Sequence, residues 1–170
     1  MKTLQQQLSQ YALYHRDKRN IATHFIGIPM IVLAIVYLLY FPMMEIGQYV
    51  ITPALIVVAL SSGYYLILSR SLGLVMSVIL ASMYYLVEYT VDMLTSGFPL
   101  GYLGFGVVLF IVGWVFQFVG HYFEGKKPAF VDDLMGLVIG PLFVLVEALF
   151  CLGLFKSLEH EIIERAGAYR

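Results

Sequence analysis

Five apolar stretches, at about 24–41, 50–68, 72–93, 101–120 and 134–155, take up most of this 170-residue chain. Each approaches the roughly 20 residues that a helix needs to cross a 30 Å hydrocarbon core. Inside such a core there is no water to bond stray backbone N–H and C=O groups, so a segment has to satisfy them within itself. The expectation is an all-α integral membrane helical bundle of about five transmembrane segments, forming one membrane domain over 1–170. Charge supports it: 12% of the residues are charged, against about 25% in soluble domains. The breaks between stretches are short. Phe41-Pro42 closes the first, Ser69-Arg70-Ser71 and Ser96-Gly97-Phe98-Pro99 the next two, and the longest runs from Tyr122 to Asp133. Pro141 and Glu147 interrupt the last stretch, which leaves it a kinked span or a segment that enters the membrane and returns.

Ahead of the first span, residues 3–18 read as an interfacial helix, with Leu4, Leu8, Tyr11 and His15 at helical spacing. Asn20 is placed to cap the helix that follows, and Pro29 falls near the membrane entry. Nothing in the first twenty residues has the apolar core of a cleavable signal peptide. With five spans, Lys2, Arg16, Lys18, Arg19, Arg70, Lys126 and Lys127 all fall on one face. The positive-inside rule puts that face, and the N-terminus, in the cytoplasm. Lys156, Arg165 and Arg170 then lie opposite, unless the last segment returns. A formal net charge of -1 and the lack of a basic tract give no case for nucleic acid. Cys151, the single cysteine, excludes an internal disulfide and reads as a small buried hydrophobe.

This topology brings three histidines to one membrane face: His15 and His24 flank the entry of the first span, and His121 stands at the exit of the fourth. In one unbroken helix His15 and His24, nine residues apart, point in opposite directions. The polar break Arg16 to Asn20 offers a turn that lets both face one pocket. Glu124 follows His121 by three residues and shares its helix face, while Gln117 precedes it by one turn and is positioned to orient it. Imidazoles with an optional carboxylate suit Fe(II) or another first-row divalent ion. Interfacial histidines also snorkel, cap helices or meet headgroups, so spacing alone leaves both readings open. His160, among Glu159, Glu161 and Glu164, belongs to a solvated tail.

Other polar residues carry paired readings too. Glu88 and Glu147 lie at membrane depth, where an acid is either functional or a hydrogen-bonded structural group. Tyr84, Tyr85 and Tyr89 form an interfacial belt or a pocket wall. Gly101, Gly104, Gly106 and Gly113 enter a span and read as close-packing positions.

Two longer motifs say more than spacing does. Tyr14-His15-Arg16-Asp17-Lys18-Arg19-Asn20 runs on to His24-Phe25-Ile26-Gly27-Ile28-Pro29. Downstream stand Gln117-Phe118-Val119-Gly120-His121 and Glu124-Gly125-Lys126-Lys127-Pro128-Ala129, then Asp133-Leu134 and Gly140-Pro141. In these motifs, and in the order of its apolar segments, the chain resembles the 2-hydroxy fatty acid dioxygenase family, whose characterised type shortens phytosphingosine-derived acids. The resemblance implies an Fe(2+)-dependent α-oxidation in which a 2-hydroxy fatty acid and O₂ give the acid one carbon shorter and CO₂. It implies that His15, His24 and His121 hold the metal or lie close to it. Glu124, Asn20 and Gln117 are then the candidate catalytic residues beside the ligands. Arg16, Lys126 and Lys127 are candidates to bind the substrate carboxylate, although interfacial basic residues also serve headgroups. The rival readings are a haem-binding protein that uses two of the imidazoles, or a metal-free transporter or scaffold built on Glu88 and Glu147.

Overall fold

A computed structural model describes residues 2–47, 49–128 and 134–170, and among these the chain is helical apart from one short hairpin. It divides into two compact units: Met1–Pro29 with Trp114–Arg170, and Met30–Gly113. Among the described residues three helices are long and apolar enough to cross a membrane, or four if a bent pair counts as one span. The three are α2 (Lys18–Leu38), α4 (Arg70–Gly97) and α5 (Gly101–Glu124), of 21, 28 and 24 residues.

Not all of the five expected stretches become helices of full span length. At a rise of about 1.5 Å per residue, the 16 residues of α3 (Pro53–Leu68) fall short of a 30 Å core. The last stretch is broken instead into α6 (Met135–Cys151) and α7 (Lys156–Ala166), which meet at 117° and make a fourth span only if taken together. The break is conformational, since Gly153 and Phe155 both take positive φ. Cys151, expected to be buried, is exposed at the end of α6, because the helix stops there.

In the unit Met30–Gly113, α3 and α4 are joined by a single residue. The Ser69 N–H closes α3 on the Tyr65 carbonyl at 2.9 Å, and its hydroxyl accepts the Leu72 N–H at the start of α4. Gly73 permits the close return, since a Cβ there would overlap the Tyr65 and Leu66 backbone. The hydroxyls of Tyr37 and Thr90, 2.6 Å apart, tie α2 to α4. Strands β1 (Met44–Ile46) and β2 (Tyr49–Ile51) pair antiparallel, with Glu45 opposite Val50. At three residues each they are too short to show as alternation in the sequence. Leu60, Ile67, Val78, Tyr85 and Tyr89 are exposed, an outward apolar face suited to lipid. Tyr84 instead turns its hydroxyl to Thr52 at 3.3 Å, and Glu88 is exposed.

The other unit is built on α1 (Leu4–Ala12), which opens on a capping box. The Thr3 hydroxyl accepts the Gln6 N–H, and the Gln6 side chain accepts the Thr3 N–H. Leu8, Tyr11 and Ala12 are buried, with Tyr11 against Phe143 of α6 at 4.8 Å. The helix ends well before residue 18, so His15 to Asp17 form a link into α2. Asp17, not Asn20, caps α2: its Oδ1 accepts the Arg19 N–H at 2.8 Å. Asn20 lies inside the first turn, where its side chain is drawn inward to Tyr14 and Glu124.

Candidate metal centre

The link between α1 and α2 lets histidines nine residues apart meet. Because α1 stops at Ala12 and α2 starts at Lys18, His15 leaves the helical register and swings onto the face that His24 occupies. His121, in the last turn of α5, completes a triangle. Ring centroids stand 4.6 Å apart for His15 and His24, 5.0 Å for His15 and His121, and 5.1 Å for His24 and His121. All three rings are buried, and one ligand atom from each lies within 4.8 Å of the others.

Backbone carbonyls set the tautomers of two of them. His15 Nδ1 lies 2.8 Å from the Tyr11 carbonyl and His24 Nδ1 lies 2.9 Å from the Asn20 carbonyl. A carbonyl oxygen only accepts, so each Nδ1 carries its proton and donates it. Each neutral ring then has its lone pair on Nε2. Those two Nε2 atoms face one another at 3.1 Å, a repulsive arrangement unless a cation or a further proton lies between them. A further proton is disfavoured: burial, and then the neighbouring His24, push the His15 imidazole well below its usual pKa. Two nitrogens on one ion, at bonds of about 2.0–2.1 Å, are separated by about 3.0–3.4 Å. His121 Nδ1 is buried with no hydrogen-bond partner among the described residues. The donor set and the unsatisfied nitrogens fit a first-row divalent ion.

Glu124 fastens this centre without joining the trio. Its Oε2 accepts from the Arg16 N–H at 3.0 Å, the Asp17 N–H at 2.7 Å and the Asn20 amide at 3.1 Å, and its Oε1 from the Arg170 guanidinium at 2.7 Å. One carboxylate thus holds the His15 link, the start of α2 and the end of α5 in register. Asn20 works at the same joint. It bonds Glu124 through its amide, while its carbonyl receives the His24 proton and its Oδ1 has no partner among the described residues.

The remaining sequence candidates are distributed differently. Gln117 is buried one turn before His121; its Nε2 has no hydrogen-bond partner among the described residues, so no bond to His121 is seen. Arg16 is buried, with Nε on the Ala12 and His15 carbonyls, Nη2 3.5 Å from Glu147 and the guanidinium over the Tyr169 ring at 4.5 Å. Lys126 is exposed and donates to the Leu13 carbonyl at 2.7 Å, and Lys127 is exposed beside it. Glu147 has the structural character the sequence left open, paired with Arg16 and accepting from the Tyr169 hydroxyl at 3.0 Å. His160 is exposed and 3.3 Å from Glu164. Asp133 lies outside the described residues.

Several residues were not read as part of the site from the sequence. Tyr11 stacks flat on His15 at 4.1 Å and also supplies the carbonyl that orients it. Gly120 lets α5 touch α2, since a Cβ there would strike Asn20, Thr23 and His24. Its place inside the Gln117 to His121 motif was the available signal. Tyr169 and Arg170 reach the centre from the far end of the chain, and nothing local marks them.

A family model described as "2-hydroxy-palmitic acid dioxygenase Mpo1-like" matches residues 1–152. A curated relative, "2-hydroxy-palmitic acid dioxygenase MPO1" of Saccharomyces cerevisiae, is 36% identical over 166 residues, which cover 94% of this chain and 89% of the relative. No solved structure matches the chain.

Proposed function

The chain belongs to the 2-hydroxy-palmitic acid dioxygenase Mpo1-like family, and from that membership we propose that it is an Fe(II)-dependent 2-hydroxy fatty acid dioxygenase. The reaction takes a 2-hydroxy fatty acid and O₂ to the acid one carbon shorter, CO₂ and water. The observation that carries the reading is the facing pair of Nε2 atoms at 3.1 Å, with both Nδ1 protons held on carbonyls and His121 beside them.

His15, His24 and His121 are the residues that hold the iron. When bound, the ion supplies the oxygen chemistry, and the protein contributes ligands, orientation and a shielded pocket. The Tyr11 and Asn20 carbonyls keep the two Nδ1 protons in place and so keep the ligating nitrogens unprotonated. Glu124 and Asn20 fix the link that carries His15. Gln117, with a buried free donor, is a hydrogen-bond partner for an oxygen of the substrate head. Lys126 and Lys127 draw the carboxylate to the centre; Arg16, locked by Glu147 and Tyr169, adds positive potential without leaving its pocket. The acyl chain lies along the apolar helices. Arg16, Lys18, Arg19, Lys126 and Lys127 cluster at the histidine end, which supports a cytoplasmic side for it.

The test is direct. Protein purified in detergent, supplied with Fe(II), air and 2-hydroxypalmitate, is expected to yield the fifteen-carbon acid by mass spectrometry. Chelation, removal of oxygen or His121→Ala is expected to abolish the product while the helical circular dichroism stays unchanged. Full turnover by folded His121→Ala would sink the assignment.

A further inference from the structure

The tail after α7 is bonded to the metal centre rather than left in solvent. The Arg170 N–H donates to the Arg16 carbonyl at 2.8 Å, and the Lys18 N–H donates to the Arg170 carbonyl at 3.1 Å. These bonds bracket the link that presents His15. Two side chains add to them: the Arg170 guanidinium meets Glu124 at 2.7 Å, and the Tyr169 hydroxyl meets Glu147 at 3.0 Å. Arg16 in turn donates to the Gly167 carbonyl at 3.2 Å. Gly167, Tyr169 and Arg170 lie beyond the matched region 1–152.

Resting on the metal-centre reading above, we propose that residues 167–170 are a latch, with Arg170 a positioning residue for His15. Glu124 is the joint through which the tail acts. Its carboxylate is fully buried and organises the link through Oε2, while Oε1 has Arg170 as its partner. The Arg170 side chain is 59% exposed, so it is not needed to fill a core. Its contribution is to hold the carboxylate in the orientation in which Oε2 faces the Arg16 and Asp17 amides. Loss of that hold frees the link, and with it the ring of His15. Groups bonded directly to a ligand typically change metal affinity by about 10–100-fold, and Arg170, which acts one step further out through Glu124, falls at the low end of that range.

Two measurements on the full chain in detergent test the latch. The first is amide hydrogen exchange of the metal-free protein, read on the peptide covering residues 13–18. The second is titration with Co(II), whose visible spectrum reports ligation by imidazole. Arg170→Ala is expected to speed exchange in that peptide about 10-fold, leave α3 and α4 unchanged, and weaken Co(II) binding about 10-fold. Arg170→Lys, which keeps the charge, is expected to recover most of both, and Tyr169→Phe to show a smaller loss. Wild-type exchange in Arg170→Ala overturns the latch, and so does faster exchange with wild-type Co(II) affinity. Should the wild-type chain itself take up no Co(II), the metal reading falls, and the exchange arm alone decides whether the tail holds the link.

Discussion

Four N–H donors converge on the Glu124 carboxylate, two from the backbone at Arg16 and Asp17 and two from the side chains of Asn20 and Arg170. A buried carboxylate so surrounded stabilises the joint only while it is present; its removal leaves buried amides unpaired. Glu124→Ala is therefore expected to cost about 3–5 kcal/mol of stability, measured by thermal unfolding in detergent. His15 makes a second residue-level prediction. Its folded pKa lies below the unfolded value of 6.5, so the unfolded chain binds the extra proton first. Stability from this ring is complete above about pH 6.5 and declines as pH falls below it, by up to about 1.4 kcal/mol per pH unit. Unfolding midpoints between pH 7.5 and 5 are expected to drop for the wild type, and less steeply for His15→Gln. Identical slopes would remove His15 as the cause.

Two glycines show how differently elements can depend on a missing Cβ. Gly120 sets α5 against α2 beside the metal centre, and Gly73 sets α4 against the end of α3. An alanine at 120 pushes into the Asn20, Thr23 and His24 side chains, which can shift. Gly120→Ala is expected to fold with a loss of about 1–3 kcal/mol and to bind Co(II) more weakly. At 73 the obstacle is backbone, which cannot shift without opening the turn. Gly73→Ala is expected to lower the folded yield sharply, read by size-exclusion chromatography. The start of α2 was misplaced in the sequence for a reason at this same scale. Asp17 and Asn20 are both good capping residues, and only the contact of Asn20 with Glu124, more than a hundred positions away, takes it out of contention.

At the scale of the molecule, the end of α5 and the end of α6 reach the same link, through Glu124 and Glu147 respectively. Both helix ends therefore lie at the link, and the tail reaches it as well. Cysteines placed at the exposed positions Gln6 and Ala168, in a Cys151→Ser background, are expected to react with an impermeant thiol reagent from the same side of sealed vesicles. Labelling from opposite sides would restore a crossing last segment. The helical membrane class was legible from 61% hydrophobic residues in stretches near span length, because a backbone in hydrocarbon has to bond within its own segment, and that demand is local. The histidine trio was legible through its two motifs. What only the tertiary structure decided is which carboxylate serves the centre as a clamp, how Arg16 is occupied, and where residues 167–170 go. Each of these depends on contacts between residues far apart in the chain, and neither periodicity nor composition records such contacts.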